Sequence, residues 1–146
     1  MRKTLCRITA MLPLVLLATQ LARAQEPVLA NIPFAFTVGN TTLPAGEYRV
    51  EKVWDGSSAM LIRGTDGSAS TMVITNATQA NAPQAQTKLV FHRYRNHCFL
   101  SQVWTAGNAR GRELPKSAKE KEQGLLARNE APDQVTIVAR LISPKP

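Results

Sequence analysis

Apolar and polar residues alternate in short runs along most of the chain, and turn residues separate the runs. Ile32, Phe34, Phe36 and Val38 fall on one face of a first predicted strand. Tyr48, Val50 and Trp54 share a face in a second, with Arg49 and Glu51 opposite. Met60–Arg63 and Thr71–Thr75 give a third and a fourth, Lys88–Tyr94 and His97–Trp104 a fifth and a sixth. Val135, Ile137, Ala139 and Leu141 mark the last. A repeat of two is the period of a strand with one buried face. Asp55-Gly56 and Asp66-Gly67 are turn dipeptides between these runs. The pattern predicts an all-β fold: a single antiparallel β-sandwich, or a partly closed barrel, of about seven strands.

Two stretches break the alternation. Residues 76–87 are rich in Ala, Gln and Asn and have no core-forming period, so they are expected to be an exposed, mobile connection. Residues 117–128 are expected to form one C-terminal surface helix. Ser117 and Glu120 stand at capping-box spacing after Pro115. The apolar face of this helix is thin, with Ala118, Leu125 and Leu126. Arg95-Asn96 reads as a two-residue hairpin turn, Asn96 supplying the positive φ. That turn pairs Tyr94 with His97, Arg93 with Cys98, His92 with Phe99 and Phe91 with Leu100. Strict alternation then puts Val90, Phe99 and Val103 on one side of the hairpin, and Leu89, Phe91, Leu100 and Trp104 on the other. Both sides are apolar, so the outer one needs a cover: the late helix, a ligand or a partner chain.

The first 24 residues follow a different logic. Arg2, Lys3 and Arg7 precede an apolar run from Ile8 to Ala18, and Ala22-Arg23-Ala24 places small residues at the positions a signal peptidase reads. Residues 1–24 are therefore expected to be a signal peptide cleaved between Ala24 and Gln25. Residues 25–146 are then a single domain, secreted or periplasmic, with no transmembrane span in the mature chain. Cleavage lowers the formal net charge from +8 to +4, because Arg2, Lys3, Arg7 and Arg23 leave with the leader. It also removes Cys6, so Cys98 has no internal disulfide partner. A buried inert thiol is the expected state of Cys98, and an intermolecular disulfide the alternative.

The segment Ile32-Pro33-Phe34-Ala35-Phe36-Thr37-Val38-Gly39 leads into Leu43-Pro44-Ala45-Gly46-Glu47-Tyr48. Pro44 presets a turn, and Leu43 and Tyr48 anchor it as a rigid β-corner. Ile32–Tyr48, Lys88–Trp104 and Gly111-Arg112-Glu113-Leu114-Pro115 together resemble a family of small secreted soil-bacterial proteins of unknown function. The resemblance covers most of the mature chain and implies no activity, cofactor or catalytic residue. The Leu-Pro-Ala-Gly-Glu-Tyr piece is also similar to a corner in prealbumin-like adhesin repeats, which implies a sandwich rather than a barrel.

Candidate chemistry is sparse. His92, Tyr94 and His97 fall on one face near the hairpin tip and are the candidate metal ligands, without a carboxylate or a third imidazole. Glu113 is the candidate acid or base, but no second catalytic carboxylate accompanies it. Arg110, Arg112, Lys116, Lys119 and Lys121 form a basic stretch suited to an anionic envelope polymer or headgroups. No aromatics interleave with these cations, so nucleic acid is not an expected partner. The chain thus reads as an exported, non-enzymatic β domain with a binding or envelope-structural role and no cofactor. The alternative is a lipocalin-like carrier of a small apolar ligand, walled by the doubly apolar hairpin.

Overall fold

A computed structural model describes residues 26–128 and 130–142; the expected signal peptide, residues 1–24, and the cleavage-site residues Ala22, Ala24 and Gln25 lie outside the described residues. Its strands are β1 (Val28–Ile32), β2 (Phe36–Val38), β3 (Thr41–Leu43), β4 (Gly46–Lys52), β5 (Ala59–Gly64), β6 (Ser70–Ile74), β7 (Asn76–Gln79), β8 (Lys88–Tyr94), β9 (His97–Trp104), β10 (Arg110–Glu113), β11 (Asp133–Val138) and β12 (Arg140–Leu141). The helix α1 (Ala118–Leu126) lies between β10 and β11. A first sheet runs β12-β1-β4-β5-β6. A second runs β11-β8-β9-β10-β7, with β2 beside β9 and β3 beside β2. The sheets form a sandwich with no closed barrel.

The described residues hold twelve strands rather than about seven, chiefly because the chain changes sheets without losing its two-residue period. The first predicted strand is two. Ile32 ends β1 in the first sheet, and Phe36 opens β2 in the second. Pro33 lies between them and has no N–H to continue the ladder. The last predicted strand likewise splits into β11 and β12 at Ala139, whose N–H donates to the Thr87 carbonyl at 2.8 Å.

The third crossing is Thr75, between β6 and β7. Its N–H and its hydroxyl both donate to the Ser58 carbonyl, at 2.9 and 2.8 Å. Arg112 Nε donates to Thr75 Oγ1 at 2.8 Å, and Arg112 Nη2 to the Thr75 carbonyl at 3.1 Å. Stretch 76–87 therefore begins as a strand, not a loose connection, with Asn76–Gln79 paired to β10. Its remainder is also held: Ala80 N–H donates to Ala109, Gln84 N–H to Asn108, and Gly107 N–H to Gln84.

The core follows from the inward residues of both sheets. Phe36 packs edge-on against Tyr48 at 5.0 Å and Phe91 at 5.6 Å, and Phe34 meets Phe91 at 5.2 Å. Edge-to-face pairs of this kind contribute about 1 kcal/mol beyond burial. The expected β-corner is present: Leu43 and Tyr48 are buried, and the Tyr48 hydroxyl donates to the Pro44 carbonyl at 2.7 Å. Trp54 departs from expectation. It is 65% exposed and sits in the turn after β4 rather than on the inner face of the strand.

The hairpin of β8 and β9 has the predicted register at its tip, with all four pairs from Tyr94–His97 to Phe91–Leu100. Positive φ falls on Arg95 (53°), not on Asn96. Beyond Phe91 the register slips, so that Val90 faces Gln102 and Ser101 is the extra residue. A bulge exchanges the faces of the residues that follow it. Val103 accordingly joins the core, while Trp104, expected on the side of Leu89, Phe91 and Leu100, lies over Gly111. A Cβ on Gly111 would stand 2.6 Å from the indole carbon Cε3. Gly111→Ala must therefore displace a rigid ring. The expected cost is about 1–3 kcal/mol, read as a lower urea midpoint.

Candidate functional site

The outer face of β8 and β9 gathers the candidates that the sequence suggested. The helix α1 covers it, and Ser117 caps the helix by accepting the Glu120 N–H at 3.2 Å. The helix does not dock through its leucines: Leu125 is 70% and Leu126 59% exposed, and Ala118 is exposed as well. Its buried residue is Glu120, at 4% exposure.

The Glu120 carboxylate is the centre of a polar cluster. Its Oε1 lies 2.9 Å from His92 Nδ1 and accepts the Tyr94 hydroxyl at 3.2 Å. His92 Nε2 lies 3.3 Å from Ser101 Oγ. In the neutral imidazole, Nδ1–H donates to the carboxylate and Nε2 accepts from the serine. The Tyr94 ring also packs edge-on against Phe99 at 5.9 Å. Among the described residues, no buried side-chain nitrogen or oxygen lacks a partner. The Tyr94 phenol is pushed up to about 12, first by burial and then by the charge and hydrogen bond of Glu120.

Serine, imidazole and carboxylate in this order form the relay that activates a hydroxyl nucleophile in acyl transfer. Here Ser101 is 4% exposed at the bulge of a central strand, and its carbonyl accepts the Leu114 N–H. What the geometry shows for this cluster is a set of contacts that hold α1 against the sheet.

The three candidate metal ligands separate. His92 and Tyr94 meet at Glu120, whereas His97 is exposed at the hairpin tip. His97 borders an open hollow of about 300 Å³ shared with Arg95, Gln123 and Leu126. Among the described residues, no three His, Cys, Asp or Glu side chains are grouped to hold a metal ion. Glu113 stands on β10, opposite Gln102 on one side and Asn76 on the other. The carboxylate that meets an imidazole is Glu120. Cys98 turns to the opposite face, into the core, where burial pushes its thiol up against a smaller opposing effect of Arg93. Of the basic stretch, Arg112 is engaged at Thr75, while Arg110, Lys116, Lys119 and Lys121 are exposed.

Comparison of the chain with protein-family models, with curated proteins and with solved structures finds no match. Among the described residues, no helix is long and apolar enough to cross a membrane.

Glu120→Ala leaves His92 Nδ1 and the Tyr94 hydroxyl unpaired beneath the helix. The expected loss is about 2–3 kcal/mol of unfolding free energy, measured by urea denaturation. Tyr94 supplies a second test. Its folded pKa is raised above the unfolded value of about 10, so its contribution is complete below pH 10 and is lost as pH climbs toward 12. The stability advantage of the wild type over Tyr94→Phe should hold constant to pH 10 and shrink above it, as followed by thermal melts across that range.

Proposed function

We propose that the chain is an exported, non-enzymatic sandwich domain, secreted or periplasmic, that acts by binding at the cell envelope. Membership of the secreted family that it resembles is part of the same proposal. The observation that carries this reading is the closure of the β8–β9 hairpin on both faces. Its inner face is filled by core side chains, with Phe36, Phe91, Ile32 and Leu89 at 1% exposure or less. Its outer face is covered by α1, fixed through Glu120. The doubly apolar hairpin, which motivated a carrier, has a cover within the chain, which supports the binding reading over the carrier. Among the described residues, the relay-like arrangement of Ser101, His92 and Glu120 lies under the same helix, which supports a non-enzymatic role. Function is left to the outer surface, above all to the outer face of the first sheet.

The test has two parts. Native mass spectrometry of gently purified protein should give the bare polypeptide mass of residues 25–146, and the protein should sediment with fragments of its own cell envelope. A bound apolar molecule would restore the carrier. Failure to sediment at low ionic strength would end the envelope reading.

A further inference from the structure

The first sheet ends in two edge strands that are built differently. β12 is two residues long and carries Arg140. β6 is five residues long, Ser70-Thr71-Met72-Val73-Ile74, with no charge, no proline and no bulge in its pairing with β5. Charge, proline, bulges and brevity are the devices that keep sheet edges from pairing with other chains. In the second sheet, β11 carries the Asp133–Arg93 ion pair, β3 is three residues long, and β7 has no large apolar side chain. β6 has none of these guards.

The phase of the ladder shows which groups of β6 are open. Antiparallel pairs alternate between those that exchange backbone hydrogen bonds and those that do not. Gly64 N–H donates to the Ala69 carbonyl at 2.8 Å, and Thr75 N–H to the Ser58 carbonyl at 2.9 Å, one position beyond each end of the β5–β6 register. Both set the same phase. Thr71 and Val73 turn their backbone groups to β5, whereas Ser70, Met72 and Ile74 turn theirs to the open edge. The side chains of these three are also exposed on the outer face, Met72 at 58% and Ile74 at 60%. Leu61, opposite Met72, extends that apolar surface onto β5.

We infer that β6 is a self-association edge, occupied by β6 of a second copy running antiparallel about a two-fold axis at Met72. The open groups are self-complementary in that register. Met72 of one copy exchanges both backbone bonds with Met72 of the other, and Ser70 does the same with Ile74 in each direction. Every open N–H of the strand then meets an open carbonyl, and none is left over. The side chains select the same partner, because the exposed apolar surfaces of the two copies close into one strip, Leu61-Met72-Met72-Leu61, across the axis. No ionisable side chain lies on β6, so the join sets no charge directly opposite another. Arg63, the charged residue of β5, stands at least three strand spacings from its copy, about 14 Å, beyond the Debye length of about 10 Å at 0.1 M salt.

The experiment is sedimentation velocity of the purified protein over a concentration series, with backbone hydrogen exchange read at both ends of the series. A monomer–dimer equilibrium is expected. The Ser70, Met72 and Ile74 amides should slow as concentration rises, while those of Thr71 and Val73 do not change. Met72→Lys sets like charges face to face on the axis at an exposed position, and should weaken association at least about tenfold with unchanged circular dichroism. Met72→Glu should do the same, and an equimolar mixture of the two variants should associate again, because the axis then joins unlike charges. Val138→Lys, at a 59% exposed position on β11, should change nothing. A monomer at every concentration would overturn the inference, as would a dimer that Met72→Lys leaves intact or that Val138→Lys weakens equally. Protection of the three amides in the monomer would overturn the second copy and assign the edge to a segment of the same chain. Pairing adds whole copies of the polypeptide and no ligand mass, so its failure leaves the envelope-binding reading untouched.

Discussion

A buried carboxylate governs how the helix is joined to the sandwich. Taking Glu120 out of water costs several kcal/mol unless the carboxylate finds partners, and His92 and Tyr94 both meet its Oε1. The helix has no competing reason to settle elsewhere, because its leucines remain in solvent. Sliding α1 by one residue would leave Glu120 unpaired under the sheet, so the cluster fixes the position of the helix rather than merely adding to its affinity. Apolar packing alone tolerates such slips, since it has no directional requirement. A polar contact of this kind trades stability for a unique placement.

The same placement explains why the central strands of the second sheet keep their outer apolar residues buried, although Val138 on β11 stays 59% exposed. Val90, Phe99 and Trp104 lie outside the main core cluster and are nonetheless buried. Phe99 reaches that state through Tyr94, which stacks on it and bonds to Glu120. Trp104 reaches it through Gly111, whose missing Cβ leaves room for the indole. The two covers are of different kinds, one a polar latch and the other a steric recess. Together they turn what reads as a ligand wall into an internal layer.

Some of this is written in the residues and some is not. The tip register of β8 and β9 is legible, because a two-residue turn and strict alternation leave one solution. The bulge at Ser101 is not legible, because Gln102, Val103 and Trp104 alternate acceptably in either register. The sheet crossings are hidden for a related reason: Val135, Ile137, Ala139 and Leu141 all face the core, whichever sheet they belong to. Only Pro33 carries a local signal. Glu120 is visible as a capping residue, but its partners lie 28 and 26 residues away, and no local rule connects them. Its signal is negative: a helix with so little apolar surface must dock by some other group. The stripe Ser117, Glu120 and Gly124, at helical spacing, is the face that supplies it.

Arg49 and Arg63, paired across β4 and β5, pose the opposite problem, since each is unremarkable in its own strand. Arg49 alternates with Glu47 and Glu51 as an outward residue should, and Arg63 ends a short apolar run. Only the pairing of β4 with β5 places them opposite one another. Sheets usually set unlike charges across from each other, and here the unlike charge, Glu51, is displaced by two residues along β4 and divided between two cations. A stability argument offers no reason for such an arrangement, because Arg63→Glu would supply a cross-strand ion pair without disturbing the core. The latch and the arginine pair thus differ in reach: Glu120 joins partners 28 and 26 residues away beneath the helix, whereas Arg49 and Arg63 share Glu51 within two neighbouring strands at the surface.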